Sequence, residues 1–133
     1  MMQILQPPGW ARPKGFSNGI AAVGKLVFIA GQIGCTGEGK WEAKAFPGQF
    51  KQTIKNILSV LAEAGGRPEH IVRLTWYVLD KQEYLGALQE VGAAYRELIG
   101  RHYPAMAVVQ VGGLLEAEAR LEIEATAVVP EAP

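Results

Sequence analysis

The sequence has little of what several classes of protein depend on. It contains one cysteine, Cys35, so no disulfide can form within the chain, and its two histidines have no short Cys/His spacing of the kind that marks a zinc site. Acidic and basic side chains cancel at 13 each, which leaves no basic track for nucleic acid. No apolar run approaches the ~20 residues that span a bilayer. We therefore expect no metal or other cofactor, no nucleic-acid partner and no membrane segment.

The N-terminal region also lacks features of export. It has neither the charged start nor the long apolar centre of a signal peptide, and a lone cysteine fits a reducing compartment. These observations predict a cytoplasmic protein. The glycine-rich loop around Cys35 carries no other catalytic signature, so we interpret this thiol as structural. A length of 133 residues predicts a single domain, 1–133.

The first half of the chain combines strand and helix patterns. Apolar runs at 19–23 and 26–30, joined by Gly24-Lys25, predict a hairpin, and 31–40 is a glycine-rich turn. After Pro47 the apolar residues recur every three or four positions, which predicts an amphipathic helix that ends at Gly65-Gly66. The residues of its buried stripe are Phe50, Ile54, Ile57, Leu58 and Leu61.

The second half adds a strand at 70–79, a second helix, and strands at 105–111 and 121–129. The second helix is predicted to end at Gly100 and to place five residues on one face: Tyr84, Leu88, Val91, Tyr95 and Leu98. The run 105–111 is apolar throughout, which is typical of a strand covered on both faces. The order of elements predicts an α+β fold, with two helices on one face of a mixed sheet.

The other face of that sheet must also be covered. We expect Val108, Ile123, Ala125 and Ala127 to lie there and to make the face too apolar for water. Copies of the chain associating in a closed ring would bury it. The sequence therefore predicts a homo-oligomer, without fixing the number of subunits.

Three segments carry a family resemblance. Ala30-Gly31-Gln32, Tyr103-Pro104-Ala105 and the stretch 122–125 (Glu-Ile-Glu-Ala), within a region from about 15 to 129, resemble the YjgF/RidA family of small trimeric proteins. The resemblance implies a chorismate-mutase-like domain, a homotrimer, and small-molecule sites in the clefts between subunits. Members of the family that are enzymes hydrolyse enamines and imines.

The resemblance also implies a site. Gly31 matches the glycine whose backbone N–H meets the substrate carboxylate, and Glu122 matches the acid credited with activating water. Four substrate-binding positions depart from the active members: Ala30 replaces a serine, Phe16 a tyrosine, Met106 an arginine and Val108 a cysteine.

The change at Met106 bears most on the substrate. The fork of an arginine matches a carboxylate in two hydrogen bonds of roughly 1.5–3 kcal/mol each, so its loss should weaken carboxylate binding by about 10²-fold or more. This favours a substrate without a free carboxylate, unless another arginine such as Arg12 or Arg73 reaches into the site. Core packing is the competing interpretation of Met106, since the residue lies in an apolar strand.

Glu122 and Glu124 should share one face of their strand, about 7 Å apart. A desolvated carboxylate can act as the base that activates water, whereas paired glutamates are more commonly solvated or bound to cations, here Arg120 or Arg73.

The sequence leaves two candidate functions. The first is an imine or enamine hydrolase with Glu122 as base and Gly31 as orienting group. The second is a non-catalytic trimer whose clefts bind an apolar or weakly polar small molecule. A ribonuclease function, the label of some relatives, is not supported, because the sequence has no basic track and no aromatic platform for stacking bases.

Overall fold

The computed structural model describes residues 2–131. In chain order the elements are β1 (Met2–Leu5), β2 (Gly19–Ala22), β3 (Lys25–Ile33), α1 (Phe46–Ala62), a 3₁₀ turn (Pro68–His70), β4 (Ile71–Val78), α2 (Lys81–Gly86), α3 (Leu88–Leu98), β5 (Ala105–Gln110) and β6 (Leu121–Val129). None of the helices in this part of the chain combines the length and the apolar character needed to cross a membrane.

The strands form two sheets. β1 pairs with β2, and the remaining four lie in the order β3-β6-β4-β5. In the four-stranded sheet β4 and β5 run parallel, while the other neighbours are antiparallel. The parallel pair requires a crossover connection, and α2 and α3 supply it. The predicted α+β fold with a mixed sheet is confirmed.

The predicted hairpin between 19–23 and 26–30 is wrong. β2 pairs with β1, with Ile4 opposite Ile20, whereas β3 pairs with β6. At the junction, a Cβ on Gly24 would lie 2.9 Å from the carbonyl carbon of Val129, so the chain presses against β6 as it enters the larger sheet. β1 was not predicted because its short, largely exposed segment offers no apolar alternation. β3 also continues to Ile33, through residues expected in the following turn.

Helix α1 follows its predicted pattern. Pro47 lies in the first turn, where its missing N–H costs nothing. Phe50, Ile54, Ile57 and Leu61 are completely buried along one stripe. Past the last turn Gly65 takes φ +74°, which favours glycine, and the helix ends as predicted.

The second predicted helix is interrupted. α2 and α3 are separated at Ala87, whose N–H donates to the carbonyl of Tyr84, three residues back, at 3.1 Å. A bond over three residues is that of a 3₁₀ turn. Its spacing is close to that of the α-helix, so the apolar periodicity continues through the break. Val91 and Tyr95 are buried, and Gly100 (φ +90°) terminates the segment as expected.

The expected uncovered face is also wrong. Ile123, Ala125 and Ala127 are buried in the core beneath the helices, and Val108 packs against the same core. The register explains this, because Ile123 lies opposite Trp76, itself buried. Strand alternation gives two faces of equal period, and the sequence alone did not decide which of them the helices cover.

The face that is left uncovered carries the alternate residues. Phe28 is 75% exposed, Leu26 61% and Val109 43%, and Glu122 and Glu124 lie between them on β6. β5 was expected to be covered on both faces, but Ala107 and Val109 are exposed on this face, and β5 is an edge strand of the sheet. β3 forms the opposite edge. An apolar, two-edged surface of this kind is typical of an interface between copies.

Candidate functional site

A β-bulge lies at the predicted glycine. Between Ile29 and Gln32 the pairing of β3 with β6 shifts, so that Ala30 and Gly31 together lie opposite the single residue Glu124. A bulge leaves one residue outside the regular ladder and bends the strand, and bulges are frequent beside active sites. Ala30 and Gly31 are both exposed there. The backbone at Gly31 is thus displayed on the uncovered face.

Gly31 and Glu122 form one structural unit. A Cβ built on Gly31 would overlap Oε2 of Glu122 and lie 2.9 Å from its carboxyl carbon. The Glu122 carboxylate therefore occupies the space left by the missing side chain. Any residue other than glycine at this position would displace that carboxylate. The structure therefore brings together the two residues that match the family pattern.

The neighbouring glutamate has a different environment. The Tyr77 hydroxyl donates to Glu124 Oε1 at 2.7 Å, and this bond is the main cause that raises the pKa of the Tyr77 phenol. Arg73 lines the same shallow depression as Glu124, while Arg120 pairs with Glu83 at 3.1 Å instead. Over residues 2–131, Glu122 makes no side-chain hydrogen bond or salt bridge. Glu124 is held in place, and Glu122 is available to a ligand.

Phe16, Met106 and Val108 lie on the helix side of the sheet. All three line a cavity of about 540 Å³ beside the β5 edge. Ser17, the next residue, holds Phe16 beside the cavity. The Ser17 N–H donates to the Pro104 carbonyl at 3.1 Å, and the Ser17 hydroxyl donates to the Tyr103 carbonyl. Met106 both packs on the core and lines the cavity, so its two interpretations are compatible.

Five aromatic rings line the cavity. The Tyr95 and Tyr103 rings stack with centroids 5.5 Å apart, and the Tyr95 hydroxyl donates to the His102 carbonyl at 2.6 Å. Burial, with a smaller contribution from Tyr103, raises the pKa of Tyr95, and burial likewise raises the pKa of Tyr84. These phenols therefore stay protonated at neutral pH. The lining includes Lys14 and Arg96 but no carboxylate.

The predicted site residues thus fall into two groups on opposite faces of the sheet. Gly31 and Glu122 lie on the uncovered face, whereas Met106 lies opposite the buried Leu74 and turns toward the helices. One chain does not bring the two groups together. A single cleft containing both requires a second copy.

Sequence reasoning missed the two cations of the cavity, Lys14 and Arg96. It considered Arg12 and Arg73 instead, and neither lines this cavity. The available signal was Gly92, a glycine inside a helix four residues before Arg96, on the same side of the helix. Tyr84 and Tyr95 had been predicted on one face of the second helix, and both pack in or against the core as well.

Residues 2–131 contain no cluster of side chains for metal binding and one free thiol, Cys35. That part of the chain holds no group of three or more His, Cys, Asp or Glu side chains placed for a metal ion. Cys35 is a half-buried free thiol, and its carbonyl accepts a hydrogen bond from Asn56 at 2.7 Å.

Known proteins resemble this chain over almost all of its length. The sequence model of the endoribonuclease L-PSP family matches residues 10–129. A RutC family protein of Aquifex aeolicus is 33% identical over 93% of this chain and 98% of its own. The 2-iminobutanoate/2-iminopropanoate deaminase of Salmonella typhimurium is 28% identical over 80% of this chain and 81% of its own. The crystal structure of a Rid-family protein of unknown function from Yersinia pestis superposes with a TM-score of 0.84, at 27% identity and over 96% of this chain and 98% of that one.

Proposed function

Because this chain belongs to the YjgF/RidA family, to which the endoribonuclease L-PSP sequence model corresponds, we propose that it hydrolyses a small reactive imine or enamine. The products are a carbonyl compound and ammonia. The reaction takes place in clefts between copies of the chain, which associate as a homotrimer with a chorismate-mutase-like arrangement. The name of the Salmonella relative, a deaminase of two small imino acids, supports this chemistry.

The uncovered face and the two edge strands of the sheet, β3 and β5, support the proposal of a trimer. Phe28, Leu26 and Val109 present apolar surface that water solvates poorly. The β3 edge carries Gly31, and the β5 edge borders the cavity that contains Met106. Joining the β3 side of one copy to the β5 side of the next, around a closed ring, would bring the two halves of the site together three times.

The chemistry requires few groups. An enamine first tautomerises to the imine. Water adds its oxygen to the carbon of the C=N bond while Glu122 accepts one of its protons and passes it to nitrogen, which gives the carbinolamine. Glu122 then transfers the hydroxyl proton of the carbinolamine to nitrogen as the C–N bond breaks. Ammonia leaves and C=O remains. The exposed backbone of Gly31 orients the substrate, and the cavity of the neighbouring copy holds its apolar part.

One observation carries this proposal above the others: the Glu122 carboxylate fills the space left by the missing side chain of Gly31, at a bulge. The carboxylate has no other partner in residues 2–131 and lies beside exposed backbone. Such a placement fits a base better than a structural ion pair.

A coupled assay tests the proposal. A dehydratase generates the short-lived enamine of a small amino acid, and the release of ammonia and of keto acid is timed with and without purified protein. We expect the protein to accelerate both releases equally. Equal rates with and without the protein would contradict hydrolysis.

The close fit of Gly31 to Glu122 gives a separate prediction. In Gly31→Ala the new methyl group displaces the carboxylate, and we expect hydrolysis to fall by roughly tenfold or more, because small misplacements of a catalytic group are costly. Gly37→Ala is the matched control, since a Cβ on Gly37 meets nothing within 4 Å. Equal activity of the Gly31→Ala and Gly37→Ala variants would show that the carboxylate position does not matter.

The second candidate is a trimer that binds a small molecule without converting it. The apolar character of Phe16, Met106 and Val108 in the cavity favours this function. It predicts saturable binding, no acceleration in the coupled assay, and binding that does not change when Glu122 is replaced.

A further inference from the structure

The wall of the cavity beside β5 includes two cations that the family resemblance does not account for. Arg96 and Lys14 line it together with Met106. Within residues 2–131 neither cation takes part in a side-chain hydrogen bond or a salt bridge. Glu97, the residue after Arg96, pairs with Lys51 instead. Two cations without acidic partners in the wall of a cavity favour an anionic group on the ligand.

Arg96 lies beside a glycine. A Cβ built on Gly92 would lie 3.4 Å from Nη1 of Arg96, which is an ordinary contact distance, so the guanidinium folds back along α3 over the bare backbone of Gly92. The glycine costs helix stability, and it leaves room for the guanidinium to lie along the cavity rim.

A second, independent feature of the cavity indicates a ligand. Trp76 lines it and is 3% exposed, and its indole Nε1–H has no hydrogen-bond partner among the described residues. The ring is held by stacking on Phe50, with centroids 5.0 Å apart, and by an edge contact with Tyr84. A buried donor without an acceptor is costly, and an acceptor atom on a bound molecule would satisfy it.

We propose that this cavity binds a monocarboxylate with a bulky apolar or aromatic body, and that Arg96, assisted by Lys14, holds the carboxylate. The inference rests on the proposed function, because it names the substrate class of the same site: an α-imino acid with a large apolar side chain. The planar fork of Arg96 matches a carboxylate in two hydrogen bonds. The stacked rings of Tyr95 and Tyr103 accept the apolar body. Arg96 thus takes the role that Met106 cannot perform, from a helix rather than from β5.

Two stable probes of equal size test the inference. Binding of 3-phenylpropanoate and of its neutral amide, 3-phenylpropanamide, is measured by calorimetry on the intact protein. We expect the acid to bind wild type at least tenfold more tightly than the amide. In Arg96→Gln the acid should bind roughly ten- to a hundredfold more weakly, with the amide unchanged. Arg96→Lys should fall between the two, and Arg101→Gln, an exposed arginine outside the cavity, should bind like wild type.

A spectroscopic signal checks the position of the ligand. The indole N–H resonance that is lost in Trp76→Phe should shift downfield when 3-phenylpropanoate binds, while the resonances of the other two tryptophans stay in place. Failure of wild type to bind the acid saturably, equal affinity for acid and amide, or an unchanged affinity in Arg96→Gln would each overturn the inference.

The binding measurement is independent of turnover. Glu122→Gln should therefore bind 3-phenylpropanoate like wild type. Arg96-dependent binding without any imine hydrolysis would overturn the proposed function alone. Hydrolysis of imino acids that Arg96→Gln leaves unchanged would overturn the carboxylate assignment alone.

Discussion

Glu122→Gln is expected to reduce imine hydrolysis by about 10²- to 10⁴-fold, the range attributed to a positioned general base. Glutamine has nearly the same shape and fills the same space beside Gly31, but it cannot accept a proton from water. The fold, the oligomeric state and ligand binding in the cavity should all be retained. The coupled assay gives the rate, and circular dichroism confirms the fold.

Glu124→Gln is the matched control for this variant. It lies two residues along the same strand and the same face, with its carboxylate bound to Tyr77. We expect it to retain activity within a few-fold of wild type. If both variants lost activity equally, the effect would belong to the charge of the face and not to a base at Glu122. A Glu122→Gln variant with full activity would exclude this residue from the chemistry.

Phe28→Glu should dissociate the trimer and abolish hydrolysis while the chain stays folded. Phe28 is 75% exposed in the single chain, so the change costs the isolated fold little. At an interface it would remove about 1.5–3 kcal/mol of apolar burial per subunit and would bury an unpaired carboxylate, which costs several kcal/mol more. Sedimentation velocity at micromolar concentration should then report a monomer.

The control for Phe28→Glu is Leu85→Glu. Leu85 lies on α2, on the opposite side of the molecule, and is 50% exposed. This variant should remain a trimer with its activity retained. A trimeric Phe28→Glu variant would show that the uncovered face is not the interface. A monomeric variant with full activity would show that one copy contains the whole site.

The fold was largely readable from the sequence because its helices and longest strands have strong periods. The stripe through Phe50, Ile54 and Leu61 and the glycine stop at Gly65 were predicted and are present. The pairing partner of β2 could not be predicted, because it depends on β1, a short strand without a pattern. The face of β6 was assigned wrongly, because alternation defines two faces and tertiary packing selects one of them.

The candidate site could be predicted from the sequence only in part. Gly31 and Glu122 were identified through the family pattern, yet their contact depends on a bulge that was not predicted. A glycine within a strand can mark a bulge, but Gly31 had been assigned to the turn after the strand. Arg96 was missed because an arginine on a helix is ordinarily solvated surface. Its relation to Gly92 becomes informative only when β5 and α3 are seen to enclose a cavity.

The proposed site is completed by two copies of the chain, and mixed trimers test this directly. Val108→Phe, which fills the cavity, and Glu122→Gln, which removes the base, should each be inactive alone. In trimers formed by co-expressing both in equal amounts, some interfaces join an intact cavity from one copy to an intact Glu122 from the next. Random mixing around a closed ring restores about one quarter of the sites. We therefore predict about one quarter of wild-type activity in the mixed preparation, with heterotrimers verified by native mass spectrometry. No recovered activity in verified heterotrimers would contradict the shared site.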